Sequence, residues 1–85
     1  MKRYDFTLHN GLSGHYRIVH AFMSDGVRVL YKSAHAPTRD PEVVTFNGEI
    51  FRNEAAAEAR IAKLLNKQIS IGWLASYTVA DVKYE

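Results

Sequence analysis

A chain of 85 residues that is 47% hydrophobic and 12% aromatic holds one folded domain, residues 1–85, of a size at which a single core is only just sufficient. With no cysteine it can form no disulfide, thiolate zinc site or cysteine nucleophile. Eleven Lys and Arg against nine Asp and Glu leave a net +2 that lies entirely within residues 1 to 53, too dilute for a strong nonspecific nucleic-acid binder. Every apolar run is too short to span a bilayer, and MKRYDFTLHN lacks the apolar stretch of a signal peptide, so the expectation is a cytoplasmic, non-membrane protein.

In chain order, YDFTLH at 4–9 alternates between apolar and polar residues and predicts a half-buried strand. NGLSG at 10–14 predicts a turn, because its glycines and Asn10 tolerate positive φ. A second strand follows at 15–23, HYRIVHAFM, and Asp25-Gly26 predicts a tight two-residue hairpin into a third, VRVLYKS at 27–33. That hairpin sets Phe22 opposite Val29, His20 opposite Tyr31 and Ile18 opposite Ser33. Pairing His9 with His15 across the first turn sets Leu8 against Tyr16, Phe6 against Ile18 and Tyr4 against His20. One sheet face then collects Tyr4, Phe6, Leu8, Tyr16, Ile18, His20, Phe22, Val27, Val29 and Tyr31, which suits a core.

SAHAPTRDPE at 33–42, with both prolines, predicts a surface loop. VVTF and EIF flank Asn47-Gly48, a second tight-turn signal leading into the helix. FRNEAAAEARIAKLLNKQ at 51–68 predicts one amphipathic helix, capped by Asn53, acidic at its start through Glu54, and carrying Lys63 and Lys67 toward its end. Ala57, Ile61, Leu64 and Leu65 form its apolar stripe, and the alanines at 55, 56, 57, 59 and 62 allow close packing. Its end falls either near Asn66 or at Ile71 with Gly72 as a left-handed terminator. Trp73 is then placed to cap one end of the core, and SYTVADVKYE supplies a last strand. The fold expected is α+β: a mainly antiparallel sheet in β-β-β-(β-β)-α-β order, with the helix packed on one face.

Chemistry-bearing residues are sparse. The four histidines lack the spacing by which zinc ligands converge at about 2 Å, so no metal, cofactor or catalytic group is assigned. His20 is expected in the core, bonded to Tyr4 or Tyr31. GLSG lies between strands, whereas the phosphate-clasping Gly-x-x-Gly loop joins two helices. The informative feature is the sheet face opposite the helix. There Val19, Ala21, Met23 and Leu30 form an apolar centre, and Arg17, Arg28 and Lys32 border it, as in a partner-binding or self-association surface. Arg39 in the long loop extends the basic border. The expectation is a non-catalytic module that binds a protein partner, such as an accessory subunit or a small inhibitor of the kind phages and mobile elements encode, or a second copy of itself. The alternative is nucleic-acid binding by Arg17, Arg28, Lys32 and Arg39.

Overall fold

The computed structural model describes residues 1–21, 25–35, 42–44 and 50–82, with 42–44 described through their backbone. The elements are β1 (Lys2–Thr7), β2 (Ser13–His20), β3 (Val27–Lys32), β4 (Glu42–Val44), α1 (Glu54–Ser70) and β5 (Ser76–Asp81). All four neighbouring pairs are antiparallel, in the order β4-β3-β2-β1-β5, so β5 returns after the helix to the free edge of β1. The fold is the expected α+β arrangement, with α1 laid over β2 and β3 on one face only.

The helix begins and ends where its backbone groups find substitutes for missing helical partners. Asn53 is extended (φ −153°, ψ 173°), and its Oδ1 accepts a hydrogen bond from Ala56 N at 2.9 Å. At the other end Trp73 N donates to Gln68 O at 2.9 Å and Gly72 N to Ile69 O at 3.0 Å, the paired bonds of a Schellman motif. That geometry needs a left-handed residue, and Gly72 supplies it at φ 85°. The longer of the two expected helix ends is therefore the one formed.

Ala57, Ile61 and Leu65 are completely buried, with Leu64 packed beside them, against Tyr4, Phe6, Tyr16, Ile18, Val27 and Val29 of the sheet. Each fully buried aliphatic side chain stabilises the fold by about 1.5–3 kcal/mol relative to exposure. Beyond the helix, β5 is tied down by the Tyr77 hydroxyl, which donates to Asn66 Oδ1 at 2.9 Å, and by Lys2 Nζ, 3.2 Å from Asp81 Oδ2.

Strand register differs from the sequence expectation by four positions in both hairpins. Tyr16 faces Tyr4 instead of Leu8, and Val29 faces Ile18 instead of Phe22. Because four is even, the paired residues of β1, β2 and β3 keep their expected faces. The cause lies in what the glycines do. In the first turn Leu8 N donates to Leu12 O at 2.8 Å and Gly11 N to Leu8 O at 3.0 Å, so His9, Asn10 and Gly11 form the loop, with Gly11 at φ 88°. Gly14 belongs to β2, opposite Phe6, where a Cβ would stand 2.6 Å from Phe6 Cζ. His9 and His15 consequently do not meet across the turn.

In the second hairpin Ala21 N donates to Gly26 O at 3.0 Å, so Asp25-Gly26 is not a two-residue turn. Gly26 is required by packing: a Cβ would stand 2.5 Å from the carbonyl of Phe51. That residue exchanges both backbone bonds with Val27, at 2.9 and 3.0 Å, continuing the edge along which β4 pairs. The Asn47-Gly48 turn lies outside the described residues, as do Phe22 and Met23.

Two placements change with the register and the helix end. His20 lies opposite Val27, beyond the end of β1, and is exposed rather than packed on Tyr4 or Tyr31. Trp73 is 69% exposed, and Leu74, at 4%, closes the core in its place. Among the described residues no helix is long and apolar enough to cross a membrane.

Candidate functional site

Since α1 covers one face of the sheet, the face of β1, β2 and β3 that points away from it is left uncovered by the helix. The pairings set its side chains in rows across the strands. One row runs Ala80, Arg3, Arg17 and Leu30, and the next runs Thr78, Asp5, His15 and Lys32. Val19 stands opposite Arg28 in a third. Of the expected site residues, the structure brings together Arg17, Val19, Arg28, Leu30 and Lys32, while Met23 and Arg39 lie outside the described residues.

The arrangement differs from the expected apolar centre with a basic border. The four-position shift interleaves the two kinds of residue, so Leu30 is paired with Arg17 and Val19 with Arg28. Arg17, Val19, Leu30 and Lys32 are half-buried, and Arg28 is exposed.

Arg3 is the residue that sequence reasoning left out. The alternation that put Tyr4 and Phe6 on the core face already assigned Arg3 to the open one, but the strand had been started at Tyr4. Arg3 stands directly opposite Arg17. Like charges placed opposite one another on neighbouring strands are destabilising. Asp5, the one carboxylate in these rows, offsets part of that cost: Arg3 Nη2 lies 3.0 Å from Asp5 Oδ1, and Arg3 Nε donates to the same carboxylate at 3.1 and 3.2 Å.

His15 sits at the centre, 9% exposed, with Arg3 Nη2 3.2 Å from its Nδ1. A guanidinium can only donate, so Nδ1 accepts, and the neutral ring carries its proton on Nε2. That Nε2 is buried without a hydrogen-bond partner among the described residues. Burial, reinforced by the positive charge of Arg3 and then of Arg17 and Lys32 and opposed by Asp5, holds His15 below the ordinary imidazole value. The lowered value favours the neutral ring among these cations.

Four cations, Arg3, Arg17, Arg28 and Lys32, against one carboxylate make this the charged face of the sheet, interrupted by Val19 and Leu30. Arginines presented from strands can grip carboxylates through two parallel hydrogen bonds each. Neither protein-family models, curated proteins nor solved structures give a match to this chain.

Proposed function

We propose that the protein is a non-catalytic binding module that docks a protein partner through the open sheet face, the partner presenting carboxylates to Arg3, Arg17, Arg28 and Lys32 and an apolar contact to Val19 and Leu30. The observation that supports this reading most directly is the pairing of Arg3 with Arg17 on a face the helix leaves uncovered. On paired strands the two arginines are neighbours, and each can grip a carboxylate of an acidic partner through two parallel hydrogen bonds.

A protein fits the face better than a nucleic acid does. Single strands are gripped by stacking bases on aromatic rings, and every aromatic residue of β1, β2 and β3 has been drawn to the helix side. Val19 and Leu30 in the same rows give an apolar contact that a phosphate backbone cannot use.

Affinity capture from the native host, run beside gel shifts at two salt concentrations, tests this reading. The expected result is one stoichiometric protein partner, retained by the wild-type chain and lost with Leu30→Asp while circular dichroism is unchanged. Retention by Leu30→Asp would remove the face from consideration. A gel shift with a steep salt dependence would favour nucleic acid instead, and light scattering separates a foreign partner from a second copy of this chain.

A further inference from the structure

We propose that the cavity between the sheet and the C-terminal end of α1, on the opposite side of the molecule from the basic face, is a binding site for a small uncharged aromatic molecule. Its volume is about 350 Å³, at the lower end of the range for small-molecule sites. Phe6, Tyr16 and Tyr31 form the sheet wall, Gln68 and Trp73 come from the helix end, and His35 comes from the segment after β3.

The sheet wall is a continuous aromatic platform. Tyr16 and Tyr31 have ring centroids 4.9 Å apart, Phe6 and Tyr16 5.7 Å, and Phe6 and Tyr31 lie nearly parallel at 9° with centroids 6.2 Å apart. Such surfaces favour another ring set edge-on or offset against them.

Trp73 lines the cavity from the helix end for a reason that can be traced to the chain. It occupies the position after Gly72 in the Schellman motif, where an apolar residue normally packs against the residue whose carbonyl it bonds. Here that residue is the polar Gln68, and Trp73 is 69% exposed at the cavity. A ring bound between Trp73 and the platform buries apolar surface on both of its sides.

The lining also sets the charge of the ligand. Among the described residues no carboxylate, guanidinium or ammonium lines the cavity, so an ion entering it would lose water without gaining a counter-charge. Two of the polar groups present, on the sheet wall and at the helix end, are neutral. The Tyr16 phenol is kept protonated, since burial and then the neighbouring Tyr31 push it up to about 12, and the Gln68 amide offers both a donor and an acceptor.

Three probes that share one ring and differ in charge test this: benzyl alcohol, benzoate and benzylammonium. Trp73 is the only tryptophan, so its indole N–H resonance in the full-length chain reports on this site alone. Benzyl alcohol is expected to move that resonance at millimolar concentration, and the two ions to need about fivefold more or to leave it unmoved. Trp73→Ala is expected to keep the wild-type circular dichroism and to weaken benzyl alcohol binding, followed by saturation transfer to the probe, by about fivefold. As a second variant, Gln68→Arg puts a cation in the wall and is expected to make benzoate the preferred probe. An indole resonance that moves with none of the probes overturns the proposal, and so does one that moves first with either ion. Undiminished binding to Trp73→Ala, or an unchanged order of preference in Gln68→Arg, would overturn it equally.

Discussion

Gly14 and Gly11 lie on the same hairpin and are glycine for different reasons. A Cβ on Gly14 would meet the Lys32 carbonyl and stand 2.9 Å from Ala34 N, backbone atoms that cannot turn aside as a flexible side chain can. Gly14→Ala is therefore expected to cost roughly 2–3 kcal/mol. At Gly11 nothing lies within 4 Å, and only the left-handed φ of 88° resists a side chain, so Gly11→Ala is expected to cost about 1 kcal/mol. Denaturant titration of the two variants measures the difference, and equal losses would mean that the contact over Gly14 relaxes. His15 gives a prediction of another kind. Its folded-state pKa is lowered, so the unfolded chain binds its proton more readily, and the stability it allows is present above the ordinary imidazole value. Stability is lost as the pH falls from there toward the folded value. Thermal midpoints measured from neutral to mildly acidic pH should fall more steeply in the wild type than in His15→Gln; parallel curves would show that His15 is solvated.

At the scale of elements, α1 is the piece the rest is built on. Ile61 and Leu65 are wholly buried, so truncation to alanine at either is expected to cost about 2–5 kcal/mol. Asn53→Ala removes only the bond to Ala56 N and is expected to cost about 1 kcal/mol. Denaturant midpoints for the three variants check the order, and a cap loss as large as the core losses would mean that the first turn organises the fold. This helix could be read from the sequence because its stripe, its Asn53 cap and its Gly72 terminator are all local signals. The sheet faces could be read for the same reason, since alternation survives any even shift of register. Register itself could not. It depends on whether Gly14 and Gly26 serve as turns or make room for Phe6 and Phe51, which is a question about residues distant in the chain. Trp73 was misplaced for a related reason: the Schellman motif turns it outward and gives Leu74 the buried position. Of the open face, the cations on β2 and β3 were legible, whereas their interleaving with Val19 and Leu30 and the part played by Arg3 waited on the pairing.

For the molecule as a whole, the helix divides the sheet into a side that holds the apolar core and a side that holds most of the strands' charge. The apolar residues that hold the fold lie under α1, and the opposite face can carry charges that contribute little to stability or oppose it. This separation makes binding and folding independently mutable, and Arg17 is the sharpest place to see it. It stands opposite Arg3 and beside Leu30, in the row that carries the proposed contact. Arg17→Gln removes one of the two positive charges paired across β1 and β2 while keeping part of the side chain's length. Stability is expected to change by no more than about 0.5 kcal/mol, as surface substitutions ordinarily do. Binding to an acidic partner is expected to weaken about tenfold, in keeping with about 1.5 kcal/mol or more for a charge-assisted hydrogen bond. Thermal denaturation and titration calorimetry on the same preparation measure both quantities. A variant that loses more than about 1 kcal/mol of stability would make Arg17 a structural residue, since surface substitutions ordinarily stay within about half of that. One that binds as tightly as the wild type would leave the facing arginines without a use in recognition.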